Sequence, residues 1–184
     1  MIVFAVLTLS AVLTAGASEP APAMPHIRSS APLILGALDE GAARSPFFRA
    51  LMDRLNGSDV IVHVVWDLRP RSGVAGRLTF VAEAGGVRYC RIFVSPALGG
   101  ADLVAVLGHE LEHAVEIADR PWITSQPDMR AFYASAGIAC DVHGEVYDTN
   151  EAVEAGDRVR LELLESRHML FTPDSRARHG AFIR

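Results

Sequence analysis

LGHELEHAVEIADRP, residues 107–121, sets two histidines four apart with a glutamate directly after the first. On a helix turning about 100° per residue, with His109 at zero, His113 falls at about 40°, Glu116 at about −20° and Glu110 at about 100°. Leu103, Leu107, Leu111, Ala114 and Val115 gather on the opposite side. The spacing therefore predicts a helix over 101–118 that buries one face and presents His109, His113 and Glu116 on the other. Side chains at i and i+4 can both reach one ion from adjacent turns, as a two-histidine zinc site requires. Glu110, beside them, is placed to take a proton from a water at the open zinc position. The bland alternative is a solvated polar helix face, to which Glu112 and Glu116 would also belong.

Around this helix the chain is punctuated clearly. Residues 1–17 are apolar from Ile2 to about Ala17 and end in Ala15-Gly16-Ala17, the pattern of a signal peptide or a short anchor. The expected location is therefore secreted or periplasmic. Residues 18–44, opening SEPAPAMPHIRSSAP, read as a linker or N-terminal extension. Ser45, Pro46 and Asn56-Gly57 bracket a short helix as N-cap, first turn and stop, with Phe47, Leu51 and Leu55 on one side. DVIVHVVWD (59–67) reads as a buried strand, in which His63 is most simply a satisfied sheet residue. RLTFVAEAGGVRYCRIFVS reads as a hairpin about Ala84-Gly85-Gly86, whose second strand could offer an edge to an extended peptide. Beyond the motif, helices are expected near Gln126–Ala136 and from about Thr149 to Ser166, the latter with Val153, Val159, Leu161, Leu163 and Leu164 as its core face. Residues 168–184 read as a basic tail. The single domain is thus expected over 45–167, with an α+β architecture of a small three-stranded sheet packed on the motif helix and a second helix downstream.

Composition narrows the partners. A chain of 184 residues, half of them hydrophobic, can bury one core. Its formal net charge of −5 argues against nucleic acid as the partner, because phosphate binding needs a surplus of cations on one face. Cys90 and Cys140 either pair or stay as separate thiols, and nothing in the spacing decides between these.

His109-Glu110-Leu111-Glu112-His113 resembles the HExxH motif of zincin metallopeptidases, and the order of leader, strands, motif helix and carboxylate-bearing helix is similar to theirs. It also resembles an uncharacterised group of small secreted bacterial proteins carrying that motif. The resemblance covers roughly residues 57–165; Glu112 departs from the uncharged residue that stricter forms of the motif keep there. It implies a zincin-like fold, one zinc ion, and hydrolysis of peptide bonds in a peptide or protein substrate. His109 and His113 would bind the metal and Glu110 would be the general base. The third ligand is expected from a downstream carboxylate. Asp148 is favoured, with Glu151, in an Asn-Glu-Ala stretch similar to that of thermolysin-like enzymes, and Glu116 as alternatives; Asp148 and Glu151 also have the spacing of a capping box. His143 is a further possible ligand, Tyr133 and Tyr147 are possible donors to a tetrahedral intermediate, and Glu116 would otherwise support the site or pair with Arg120. Two other readings stay open: a zinc-binding domain without proteolysis, and a metal-free interaction module. On any of them no stable membrane partner is expected unless the N-terminal segment stays uncleaved.

Overall fold

A computed structural model of the chain describes residues 24–70, 73–139 and 147–171. Strand β1 (Ile27–Arg28) is followed by helices α1 (Pro32–Arg44) and α2 (Pro46–Asn56), then strands β2 (Val60–Trp66), β3 (Gly76–Ala84) and β4 (Val87–Val94). Helices α3 (Gly100–Ala118) and α4 (Gln126–Ala136) come next, then a two-residue pair β5 (Ile138–Ala139) and β6 (Tyr147–Asp148), and finally α5 (Asn150–Phe171). The architecture is α+β.

Local chemistry accounts for most boundaries. The Ser45 hydroxyl accepts the Phe48 amide at 3.0 Å, Pro46 occupies the first turn, and Gly57 ends α2. Phe48, rather than Phe47, turns inward; Phe47 lies half-buried beneath the Arg158 guanidinium, 4.5 Å from its ring centroid. Gly85 and Gly86, with φ of 61° and 78°, make the tight turn that joins β3 to β4, a backbone conformation that side chains with a Cβ resist.

The sheet order is β1-β2-β4-β3, with β1, β2 and β4 parallel and β3 antiparallel to β4. Four strands stand where three were expected, because Ile27 and Arg28 pair with Val62 and His63. The stretch 18–44 is correspondingly not a linker over its second half. Ile34, Ala37 and Leu38 on α1 are buried in the core, an apolar face that the Pro- and Ala-rich composition masked. A second correction follows from the order. Strand β4 lies between β2 and β3, so its edges are occupied and it cannot receive a peptide; the outer edges of the sheet are those of the two-residue β1 and of β3.

Helix α3 runs against the sheet and is buried nearly all round, from Leu103 to Ile117. Its second wall is α5, where Val159 and Leu163 face the core while Val153, Leu161 and Leu164 are 45–56% exposed. The inward face of α5 is therefore Ala152, Ala155, Val159 and Leu163, small residues at helical spacing that let α5 approach α3 closely. A Cβ on Gly108 would stand 2.7 Å from a Val159 methyl, which shows how tightly the two helices meet. Helix α5 also extends past the expected tail boundary to Phe171. Cys90 is a buried free thiol, pushed up to about 12 by burial; Cys140 lies outside the described residues.

Candidate metal centre

His109 and His113 project from adjacent turns of α3, their ring centroids 4.9 Å apart. Asp148 reaches them from β6, immediately before α5. Its Oδ1 stands 3.3 Å from His109 Nε2 and 3.4 Å from His113 Nε2. One ligand atom from each of these residues lies within 4.8 Å of the others, and among the described residues no fourth His, Cys, Asp or Glu joins the group. The spacing tests the fit to a metal. Ligand atoms about 2.0–2.2 Å from a tetrahedral zinc ion stand about 3.3–3.6 Å apart. The contacts to Asp148 match that separation and exceed the roughly 2.7–2.9 Å of a charge-assisted hydrogen bond.

The candidate ligands are held from behind. His113 Nδ1 lies 2.9 Å from Glu116 Oε2, which also accepts the Tyr133 hydroxyl at 2.9 Å, while Glu116 Oε1 accepts the Thr149 hydroxyl at 2.6 Å. This buried carboxylate, one turn past His113, fixes the ring so that Nε2 faces Asp148, the arrangement by which carboxylates orient metal-binding histidines. Arg120 donates to the Glu116 carbonyl rather than its carboxylate. Helix α5 is capped by the Thr149 hydroxyl, which accepts the Ala152 amide, so Asp148 is not spent on a capping box and its Oδ1 is aimed at the histidines. Gly156 on α5 leaves room for His109; a Cβ there would be 3.3 Å from that residue's own Cβ.

Glu110 is 3% exposed, not on a wet flank of the helix. Its Oε2 is the buried side-chain oxygen without a hydrogen-bond partner among the described residues. Its Oε1 lies against β3, where a Cβ on Gly76 would be only 2.5 Å away. An orphaned carboxylate oxygen in so dry a place costs stability unless something else binds it. Burial, the largest influence, raises the Glu110 carboxyl to about 7; the His113 charge opposes this and Asp148 reinforces it. Burial alone would lower His113, but the facing Asp148 carboxylate, the hydrogen bond with Glu116 and the charge of Glu110 carry it up to about 10. His109 moves down instead, through burial and the charge of His113.

These groups line a cleft of about 650 Å³ bounded by β3, α3, α4 and the first turns of α5. The edge of β3 forms its floor. The Ala75 carbonyl accepts from Ser95 beyond β4, whereas the Phe80 amide faces away from β4 and donates to the Gln126 side chain. Alternation therefore turns the main-chain groups of Gly76 and Leu78 toward the cleft.

The structure thus brings together His109, Glu110, His113 and Asp148. Glu151 is exposed on α5 and outside the cluster, and His143 lies outside the described residues. Tyr147 lines the cleft, while Tyr133 is committed to Glu116. The support supplied by Thr149 was invisible in the sequence, because a threonine before a helix is read first as its cap. No protein-family model, curated protein or solved structure matches the chain.

Proposed function

We propose that the protein is a zincin-like, zinc-dependent peptidase in which His109, His113 and Asp148 hold one zinc ion and Glu110 serves as general base. The observation that carries this reading is the set of 3.3 and 3.4 Å ligand separations beside an orphaned Glu110 Oε2, opening on a cleft. A bound zinc would act as Lewis acid and make water nucleophilic near neutral pH.

The chain's own groups would do the rest. An extended substrate would lie along β3, its main chain paired with Gly76 and Leu78, so that strand addition sets the peptide in register with the ligands. Glu110 Oε2 would take the proton of the attacking water and later deliver it to the leaving amine. A carboxyl raised to about 7 suits both duties, because the best acid–base group has a pKa near the working pH. Asp148 would stay ionised, its carboxyl held down by His113 and His109 against the upward push of burial. Three protein ligands with a cleft beside them leave a position for water, which distinguishes a catalytic site from a closed structural one.

The test pairs metal analysis with activity. The purified chain should carry about one zinc, as a three-ligand site implies, and His113→Ala should lose it. Glu110→Gln should keep the zinc and lose cleavage of an unfolded protein substrate by at least about a hundredfold. A chain that holds no zinc after loading would overturn the reading. In that event the same residues form a charged cluster, His113 protonated between Asp148 and Glu116, and the protein is a metal-free module.

A further inference from the structure

The four-stranded sheet has a second face. Val60, Val62, Val64, Cys90, Ile92 and Val94 point into the core against the helices. Side chains alternate along a strand, so Arg28, His63, Arg91 and Thr79 point the other way. Register places these four side by side across β1, β2, β4 and β3. His63 and Arg91 are exposed and Arg28 is half-exposed. Among the described residues none of the three has a carboxylate partner: Arg28 donates to the Pro25 carbonyl, and Arg91 approaches the Phe93 ring at 5.9 Å. The neighbouring row carries Arg77, which shares Asp67 and lies 4.0 Å over Phe93. A chain of net charge −5 nevertheless sets Arg28 and Arg91 in this row with no carboxylate partner among the described residues, while Arg77 beside it keeps Asp67.

We propose that this face is a docking surface for an anionic lipid bilayer, independent of the metal centre and of the peptidase reading. Charge complementarity argues for an anionic partner, since basic groups near an anionic leaflet are each attracted to it. Two other occupants fit less well. A two-fold dimer through this face would set the basic row against itself. A single-stranded nucleic acid would want bare rings for its bases, but Phe93 is covered by Arg77 and Tyr89 is half-buried. Exposed apolar groups lie on strands of this sheet or just beyond them: Leu68 just after β2 is 86% exposed and Val81 on β3 is 51% exposed. The sequence's overall acidity concealed this surface.

Co-sedimentation of the full chain with phosphatidylcholine vesicles, with and without phosphatidylglycerol, tests it. Binding should require phosphatidylglycerol and weaken as salt is raised. Arg28→Gln and Arg91→Gln should each weaken it about fivefold, and the double variant about twenty-five-fold. Arg167→Gln, an exposed site on α5 away from the sheet, should leave it unchanged. Circular dichroism of every variant separates lost binding from lost folding, and Arg91→Lys should restore binding if charge is what matters. The proposal is overturned by equal binding to neutral vesicles, by no binding to either, or by an equal loss in Arg167→Gln. It is likewise overturned if a single-stranded oligonucleotide, and not the vesicles, binds in an Arg91-dependent way.

Discussion

Glu116 shows how much one side chain can contribute without touching a ligand. It closes hydrogen bonds with His113, Tyr133 and Thr149 and so joins three elements behind the ring that faces Asp148. Glu116→Ala should lower zinc affinity by about 10- to 100-fold, measured by competition with a chromophoric chelator; unchanged affinity would show that the ring needs no such support. Gly76 matters for the opposite reason, the absence of a side chain. Gly76→Ala would drive a methyl into the Glu110 carboxylate, since a Cβ there would be 2.5 Å from Oε1 and 2.8 Å from a Val106 methyl. Zinc content should hold while cleavage falls by about tenfold or more, because the base is displaced by a fraction of an ångström.

Among the elements, the C-terminal end of α3 is secured by Arg88. This side chain is 2% exposed, pairs with Asp59 at 2.6 Å, and donates to the carbonyls of Ile117, Ala118, Arg120 and Ile123. A strand residue thus adds a second donor to the Ile117 and Arg120 carbonyls, which also accept backbone amides, and supplies one to those of Ala118 and Ile123. Arg88→Met would strip the Ala118 and Ile123 carbonyls of this donor and leave the half-exposed Asp59 unpaired, at a cost of about 1–3 kcal/mol of stability by denaturant titration; a loss below about 1 kcal/mol would mean that water replaces the guanidinium. The register of β3 belongs to this scale too. The irregularity between Phe80 and Ala82, with Gln126 holding the Phe80 amide, ends the free edge and limits the cleft floor to Gly76–Thr79.

For the whole molecule, the titrating groups at the centre make stability depend on pH in a stated direction. In the metal-free protein, His113 raised from 6.5 to about 10 adds stability that is complete below 6.5 and lost as pH climbs through 10. Glu110, raised from 4.5 to about 7, favours the folded state below 4.5 and loses that advantage as pH passes 7. The Glu110 contribution is spent by about pH 7, so it is His113 that should make the melting temperature of the metal-free protein fall between neutral pH and about 10. On the proposed reading zinc would compete with the proton on His113, so the stabilisation that zinc confers should grow over the same window. Calorimetry of loaded and stripped protein across that range checks it; a gap that stays constant or narrows would exclude His113 as a ligand.

Local signals in the sequence determined the helices about Pro46–Asn56, Gly100–Ala118 and Gln126–Ala136, the β3–β4 hairpin, and the nearness of His109 and His113. Each depends on contacts within a few residues: a cap, a glycine pair, an i to i+4 spacing. Choices between distant groups were made only by the tertiary structure. Strand β1 exists because β2 offers a parallel edge to Ile27. Val159 and Leu163, not Leu161 and Leu164, line α5 because α3 sets which face is covered. Asp148 joins the histidines, while Glu151 remains in solvent, because Thr149 takes the cap and Glu116 draws that threonine inward. Burial of Glu110 and the bare basic row on the sheet are likewise properties of the packed molecule, since neither solvent access nor cross-strand register is carried by any one segment of chain.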